Sequence, residues 1–279
     1  MSVAVVVDSA SDIPDELAES FQITRVPLII SIGDSDYKDG TELSRVDFWR
    51  EMEKSSTLAR TAAPAPAEFE QAFSRLLEGG ADGVLCLTMT SDLSATYQAA
   101  ASAASGLEGR VAVVDTRTLT LTEGLIALEV ADRAVNGATL AECREWAESL
   151  LSRARTFGTL DTLENLRKGG RIGAASALLG TLMSFKPLIE VRGGVVEAAG
   201  RVRTRKTAIS SLLGMIEGLG PVQRAGLVHA MAPDVDLVAD QLRDATGLEE
   251  ITVSVMGATI GTHAGPGALG VSLLLEDRH

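Results

Sequence analysis

The chain has 279 residues, enough for about two domains with cores of their own, and 46% of them are apolar and 23% charged. That balance excludes a disordered, collagen-like or disulfide-stapled chain. With 25 Lys and Arg against 38 Asp and Glu, a net charge of −13 and only ten aromatic residues, it also argues against a general binder of nucleic acid, by backbone charge or by base stacking.

The first half alternates strand and helix signals. Val3–Val7 is a β-branched run ending at Asp8–Asp12. Pro14 then opens a helix to about Glu19, with Asp12 as its expected N-cap. Ile23–Ser31 reads as a second strand and Gly33–Gly40 as a polar turn; Ser44 caps a helix to about Lys54. Thr61–Pro66 is expected to be a loop. Ala67–Glu78 returns to helical spacing, with Phe69, Phe73, Leu76 and Leu77 on one face. Gly83–Thr88 and Val111–Val114 are further strands, and Ala95–Ser105 is a helix of small residues between them. Strand, hydroxyl-rich loop and helix in repetition predict a parallel sheet covered on both faces, with ligands at the carboxyl ends of the strands.

A helical stretch from Thr120 to Arg153, broken near Asn136-Gly137, leads out of this domain, and a boundary is expected near residue 155. Residues 1–155 then form a parallel α/β domain and 156–279 a mixed α/β domain. In the second, Asp161–Lys168 reads as a short helix, Gly169–Gly173 as a turn and Ala174–Phe185 as an apolar helix. Pro187–Val191 and Val195–Ala198 form a hairpin around Arg192-Gly-Gly194. Helices over Thr204–Leu219 and Val235–Thr246 alternate with strands over Ala225–Met231 and Ile251–Val255. The glycine-rich segment Gly261–Gly267 precedes a last strand, Leu269–Leu275.

Cys86 and Cys143 are far apart and read as small core hydrophobes in a reducing compartment. The N-terminus lacks a basic n-region, so no signal peptide is expected. Residues 251–275 carry no Asp, Glu, Lys or Arg, but five glycines and Pro266 argue against a spanning helix. A cytoplasmic location follows from this reading. No phosphate loop, dinucleotide fingerprint or nucleophile elbow occurs, and His229, His263 and His279 are scattered with no metal-ligand spacing, so neither metal nor cofactor is expected. His263 stands alone among glycines on an expected exposed loop, while Thr61 and Ser94 sit on loops just before helices, where capping is the competing reading. Between Arg153 and Lys206 eleven basic residues face four acidic ones, a local net of +7 that leaves −20 elsewhere. That asymmetry suggests an acidic partner or an anionic group docking on this half.

Several ordered motifs carry a resemblance over essentially the whole chain. They are Asp8-Ser-Ala-Ser-Asp12, Arg60-Thr61-Ala-Ala-Pro64, Thr90-Ser-Asp-Leu-Ser94-Ala-Thr-Tyr97-Gln98 and Val114-Asp115-Thr116 in the first half. In the second half they are Leu163 to Ile172 with its Lys168-Gly-Gly-Arg171 core, Lys186-Pro187, Val202 to Lys206, and Gly261 to Gly270 around His263. In this order they resemble the DegV family, which includes the FakB-type fatty-acid-binding subunits of bacterial fatty acid kinase. The resemblance implies a two-domain α/β fold, the parallel sheet first and the mixed sheet second, with one long-chain fatty acid such as palmitate, stearate or oleate in a tunnel between them. It implies a carboxyl site at Thr61, Ser94 and His263, and a separate ATP-dependent kinase that phosphorylates the bound carboxyl group. Arg171, Arg203 and Arg205 lie in family-like motifs and are the expected docking residues for that kinase; pairing with carboxylates of their own chain is the alternative. Ala62 and Ala63 stand where the family usually has Ser-Gln, and Asp92 and Ala95 where it usually has glycine. Two further readings stay open: a hydrolase of acyl esters using Ser94 and His263 with Asp92 or Asp115, and a ligand-free regulatory module.

Overall fold

In the computed structural model, which describes residues 2–55, 57–178 and 185–277, the β-branched runs of the first half become parallel strands. The elements of this half are β1 (Val3–Asp8), α1 (Asp15–Ser20), β2 (Thr24–Val26), β3 (Ile29–Ile32), β4 (Ser35–Lys38), α2 (Arg45–Lys54) and β5 (Arg60–Ala62). They continue with α3 (Pro66–Glu78), β6 (Gly83–Thr88), α4 (Thr96–Ala104), β7 (Val111–Asp115), α5 (Thr120–Val135) and α6 (Leu140–Leu151). The parallel sheet has the order β2-β1-β6-β7, and β3, β4 and β5 form a small antiparallel sheet beside it. The period of two along a strand divides the sheet between two cores. Val6, Val84 and Cys86 meet Phe69, Phe73 and Ala100 of α3 and α4. Val5, Val7, Leu85 and Leu87 meet Leu125 and Leu128 of α5.

The second half contributes β8 (Ala154–Thr159), α7 (Glu164–Lys168), β9 (Lys186–Arg192), β10 (Val195–Val202), α8 (Arg205–Gly214) and β11 (Val222–His229). It ends with α9 (Val235–Thr246), β12 (Thr252–Val255), α10 (Ala258–Ala264) and β13 (Leu269–Leu275). Its sheet has six strands in the order β10-β9-β8-β13-β11-β12, antiparallel except for β11 and β12. α8 and α9 cover its outer face through Ile209, Leu212, Val238 and Leu242. Between the two sheets lies α5, packed on β1 on one side and on β11 and β13 on the other. A helix between two sheets has no solvated face, which is why twelve of its sixteen residues are buried. The chain is thus an α/β protein with one parallel-sheet unit and one mixed-sheet unit.

Five local expectations are corrected. Ile23–Ser31 is not one strand: Pro27, which has no N–H to donate, falls where the chain leaves the parallel sheet as β2 and enters the small one as β3. Thr61 belongs not to a loop but to β5, pairing with Ile30 of β3. Gly33–Gly40 is not all turn: Ser35–Lys38 within it form β4, paired antiparallel with β3. Asp12 does not cap α1, which starts behind Pro14 without a side-chain cap. It is fully buried at φ 51°, accepting from Thr120 Oγ1 at 2.6 Å and from the Gly257 backbone N at 2.7 Å. Finally His263 lies in helix α10 rather than on an exposed loop. Of the expected helix Ala174–Phe185, residues Gly173–Leu178 form a 3-10 turn, and 179–184 lie outside the described residues, as does His279.

α10 returns from the second half to pack on the first, against α2, β3 and β5. Gly261 allows this approach: a Cβ there would stand 2.6 Å from Trp49 Cζ2 and 2.9 Å from Phe48 Cε1. The Trp49 indole N–H donates to Met256 O at 2.8 Å, tying α2 to the turn that opens α10. Cys86 and Cys143 are free and buried. No helix among the described residues is long and apolar enough to cross a membrane.

Candidate functional site

A cavity lies between the two sheets, at the carboxyl ends of the parallel strands, with about 1060 Å³ of space between its walls, mouth included. Leu28, Met89, Phe157, Ile189, Met256 and Ile260 give it apolar walls drawn from both halves. Thr61 from β5, Ser94 from the loop after β6, Arg171 from the turn after α7 and His263 from α10 meet on the same cavity, which Thr120, Thr156, Thr259 and Glu190 also line. The three residues expected from the sequence to meet a carboxyl group therefore line one space, although up to 202 positions of chain separate them.

Thr61 Oγ1 and His263 Nε2 are hydrogen-bonded at 2.9 Å. The other ring nitrogen, Nδ1, is buried without a hydrogen-bond partner. Burial, reinforced by the Arg171 guanidinium, lowers the His263 pKa to about 4, so the ring is neutral at pH 7. Gly169 fits against it: a Cβ at Gly169 would fall 2.3 Å from Nδ1. The Lys168-Gly-Gly-Arg171 motif thus closes over the histidine with a bare backbone and sends Arg171 to the cavity wall. Arg171 Nε donates to Leu93 O at 3.2 Å and one terminal nitrogen to Gly169 O at 2.7 Å, which fixes the guanidinium plane. Ser94 Oγ shares a 2.8 Å hydrogen bond with Thr96 Oγ1 at the entry to α4. Hydroxyls, a neutral imidazole and a fixed guanidinium around an apolar chamber suit a carboxyl group at the end of a hydrocarbon chain.

The arrangement does not assemble a nucleophile, base and acid. Ser94 bonds Thr96 and His263 bonds Thr61, and among the described residues no acid orients the ring. Asp92 pairs with Arg117 at 2.6 Å, and Asp115 accepts from Ser91 Oγ at 2.5 Å and from the Arg117 backbone N at 2.9 Å. Of the three arginines read as docking residues, Arg171 lines the cavity, and Arg205 is half-buried in a two-pronged pair with Asp234 at 2.8 and 2.9 Å. Arg203 is exposed, its guanidinium 6.0 Å from the Phe185 ring centre.

The sequence reading missed a shell behind the cavity wall. Asp8 accepts from the backbone N of Ala10 and of Met89 at 2.9 and 2.8 Å; Asp12 holds Thr120; Asp39 accepts from Thr259 Oγ1 at 2.5 Å and Ser9 Oγ at 3.0 Å. Met89, Thr120 and Thr259 all line the cavity, so three buried carboxyl groups each hold one piece of its wall. Burial raises the Asp8 pKa to about 7 and that of Asp12 to about 6, and it pushes Asp39 and Glu123 up as well. The acids of Asp8–Asp12, directly after a buried strand, were the signal available, because such a loop end is where buried polar groups collect.

A family model described as an uncharacterised protein of the DegV family matches residues 2–276. A DegV domain-containing protein of Streptomyces coelicolor is 39% identical over 274 residues, covering 96% of this chain and 97% of its own length. The protein DegV of Bacillus subtilis is 31% identical over 277 residues, with 97% and 98% covered. Among solved structures, a DegV family protein from Thermus thermophilus described by its fatty acid binding superposes with a TM-score of 0.90 at 32% identity, covering 99% of this chain and all of that one. DegV of Bacillus subtilis, described as a fatty acid binding protein, gives 0.88 at 30% identity with the same coverage.

Proposed function

The chain belongs to the DegV family, and from that premise we propose that it is a cytoplasmic, non-catalytic carrier of one long-chain fatty acid. The acyl chain fills the cavity and the carboxyl group meets Thr61, Ser94 and His263. The observation that carries the reading is the convergence of those three side chains and Arg171 on one cavity whose walls are mainly apolar. Two structures of at least 30% identity, from Thermus thermophilus and Bacillus subtilis, are described as fatty-acid-binding. Burying ~15 methylenes contributes a gross ~12 kcal/mol at ~0.8 each, against about 1 kcal/mol per hydrogen bond at the polar end. Apolar walls therefore set affinity, and the polar end sets orientation.

The carrier presents the carboxyl group to a separate ATP-dependent kinase that forms the acyl phosphate. Arg203, exposed at the end of β10, leads the docking surface, while Arg205 supports it from its pair with Asp234. Arg171 acts at the ligand instead: its guanidinium offsets the charge of an ionised carboxylate in a site whose histidine is neutral. Native mass spectrometry of the purified chain, with organic extraction, is expected to find one bound fatty acid. A bare chain that takes up neither palmitate nor oleate would replace this reading with the ligand-free regulatory module. Ser94→Ala is expected to reduce phosphorylation by a fatty acid kinase at least tenfold while lipid retention stays within about twofold of wild type, because one lost hydrogen bond is small beside the buried chain. Equal loss of both would overturn that division.

A further inference from the structure

The β9–β10 hairpin is the outer edge of the six-stranded sheet, and Ile189, Glu190, Val191 and Val196 on it line the cavity. Its tip, Gly193-Gly194, reaches the loops that follow β6 and β7 in the other half of the molecule. There Thr90 Oγ1 donates to Gly194 O at 3.0 Å, and the Arg117 guanidinium donates to Gly193 O. Arg117 is held in turn by Asp92 at 2.6 Å and Asp115 at 3.6 Å. The same loop runs on into Leu93 and Ser94 on the cavity wall. One clasp thus joins the strand pair on one side of the cavity to the loop that carries its polar end.

The contact is close and leaves no room for a side chain at Gly194. A Cβ on Gly194, at φ +95°, would stand 2.5 Å from both Asp92 Oδ2 and Thr90 Oγ1. Arg117 holds its own place at φ 55°, a conformation that costs a non-glycine residue energy and persists only where its surroundings impose it. Yet the clasp is made of hydrogen bonds and ion pairs, with the Arg117 and Asp92 side chains 44% and 38% exposed. Exposed ion pairs are weak in water, and the one buried contact is a single hydrogen bond from Thr90, so the tip can part from the loop without disturbing either core. Asp92 stands where the family pattern has glycine, so its pair with Arg117 is a feature of this chain rather than of that motif.

We propose that this hairpin tip, clasped by Thr90, Asp92 and Arg117, is a latch whose opening admits and releases the ligand of the cavity. The proposal rests on reading the cavity as an acyl-chain site. A latch closed over both the empty and the filled cavity governs rates rather than affinity, because weakening it raises entry and exit alike. Thr90→Val keeps the shape of a buried side chain and removes the donor, and Arg117→Ala removes the grip on Gly193. Neither residue lines the cavity.

The test pairs two measurements on the full chain. Stopped-flow exchange of cis-parinaric acid is expected to show both rates rising about fivefold in each variant, with Kd within about twofold, the effect of losing one or two polar contacts. Amide hydrogen exchange in the ligand-free protein is expected to speed up by a similar factor over residues 192–196 and nowhere in the parallel sheet. Gly194→Ala, which forces the tip off the loop, is expected to exceed both variants in each measurement. Unchanged rates and unchanged exchange at the tip would overturn the latch and leave fatty-acid binding standing. A changed Kd with an unchanged entry rate would also overturn it, since these groups would then be holding the ligand. If wild type takes up no fatty acid, the proposed function falls and the ligand role of the latch falls with it, whatever the hydrogen exchange shows.

Discussion

Two of the junctions at which the halves of the molecule meet around the cavity are of opposite character. At one, α10 lies against α2 with Gly261 pressed on Trp49 and Phe48, the indole N–H bonded to Met256 O, and Asp12 bonded to Gly257 N. Everything there is buried: Phe48, Trp49, Met256 and Asp12 are all at most 5% exposed. At the other, the tip of the β9–β10 hairpin is held by polar contacts alone, a buried hydrogen bond from Thr90 and a water-facing grip from Arg117. The first junction sets His263 beside Thr61 and has to be rigid, because a hydrogen bond of 2.9 Å tolerates little displacement. The second closes a wall of the cavity and has only to be mostly shut. Burial makes a joint stiff, and polar contact partly facing water makes it one that opens.

The largest expected effect is at the stiff junction. Trp49→Ala removes a buried indole and leaves the Met256 carbonyl without its donor, and should cost about 3–5 kcal/mol in denaturant unfolding. A loss below about 1 kcal/mol would break the contrast outright. Gly261→Ala should cost about 1–3 kcal/mol by overpacking against the same rings, seen as a fall in Tm of roughly 2–4 °C per kcal/mol.

A smaller effect sharpens the electrostatics of the buried side. Glu123 lies fully buried near Asp8 and Asp12, and burial holds its carboxyl well above the ordinary value. The folded protein therefore keeps a proton that the unfolded chain gives up. The stability this contributes is full below the ordinary carboxylate pKa and is lost as pH rises towards the folded value. Asp8, raised to about 7, and Asp12, raised to about 6, act with the same sign, so Tm should fall between pH 4 and pH 7. Glu123→Gln, which cannot titrate, should leave Tm near wild type at pH 4 and raise it by a few degrees at pH 8. A variant equally displaced at both pH values would show that Glu123 carries no proton linkage. The smallest effect belongs to the junction that opens: Arg117→Ala should change global stability by no more than about 1 kcal/mol, since its guanidinium and its nearer partner Asp92 are solvent-facing. A loss as large as that of Trp49→Ala would erase the distinction between the two joints.

Much of the first half was legible because its signals are local. Val3–Val7, Gly83–Thr88 and Val111–Val114 are β-branched or apolar runs between polar loops, and the structure makes all three strands of one parallel sheet. The break at Asn136-Gly137 separates α5 from α6, where Thr139 and Glu142 form a capping box. Strand β8 was missed because Arg155, Thr156 and Thr159 give it no apolar alternation; its threonines are satisfied by Thr118, Thr122 and the Pro187 carbonyl, partners far along the chain. β5 was missed for a related reason, since the three residues Arg60-Thr61-Ala62 become a strand only when β3 lies beside them.

The site divides in the same way. Thr61, Ser94 and His263 could be singled out from the sequence, because hydroxyls before helices and a histidine among glycines are recognisable where they stand. Arg171 could not be placed among them: its charge reads as surface until Gly169 seats the turn against His263 and Leu93 O fixes the guanidinium. Asp12 likewise looked like a cap for the next helix and proved to be a tie to Gly257. Residue order alone determined the strands, caps and breaks whose causes lie within a few positions, such as β1, β6 and the Thr139–Glu142 capping box. Which polar groups are buried together, and so which become neutral, paired or free to open, was decided only when the two sheets closed around α5, because desolvation and hydrogen bonding act through space.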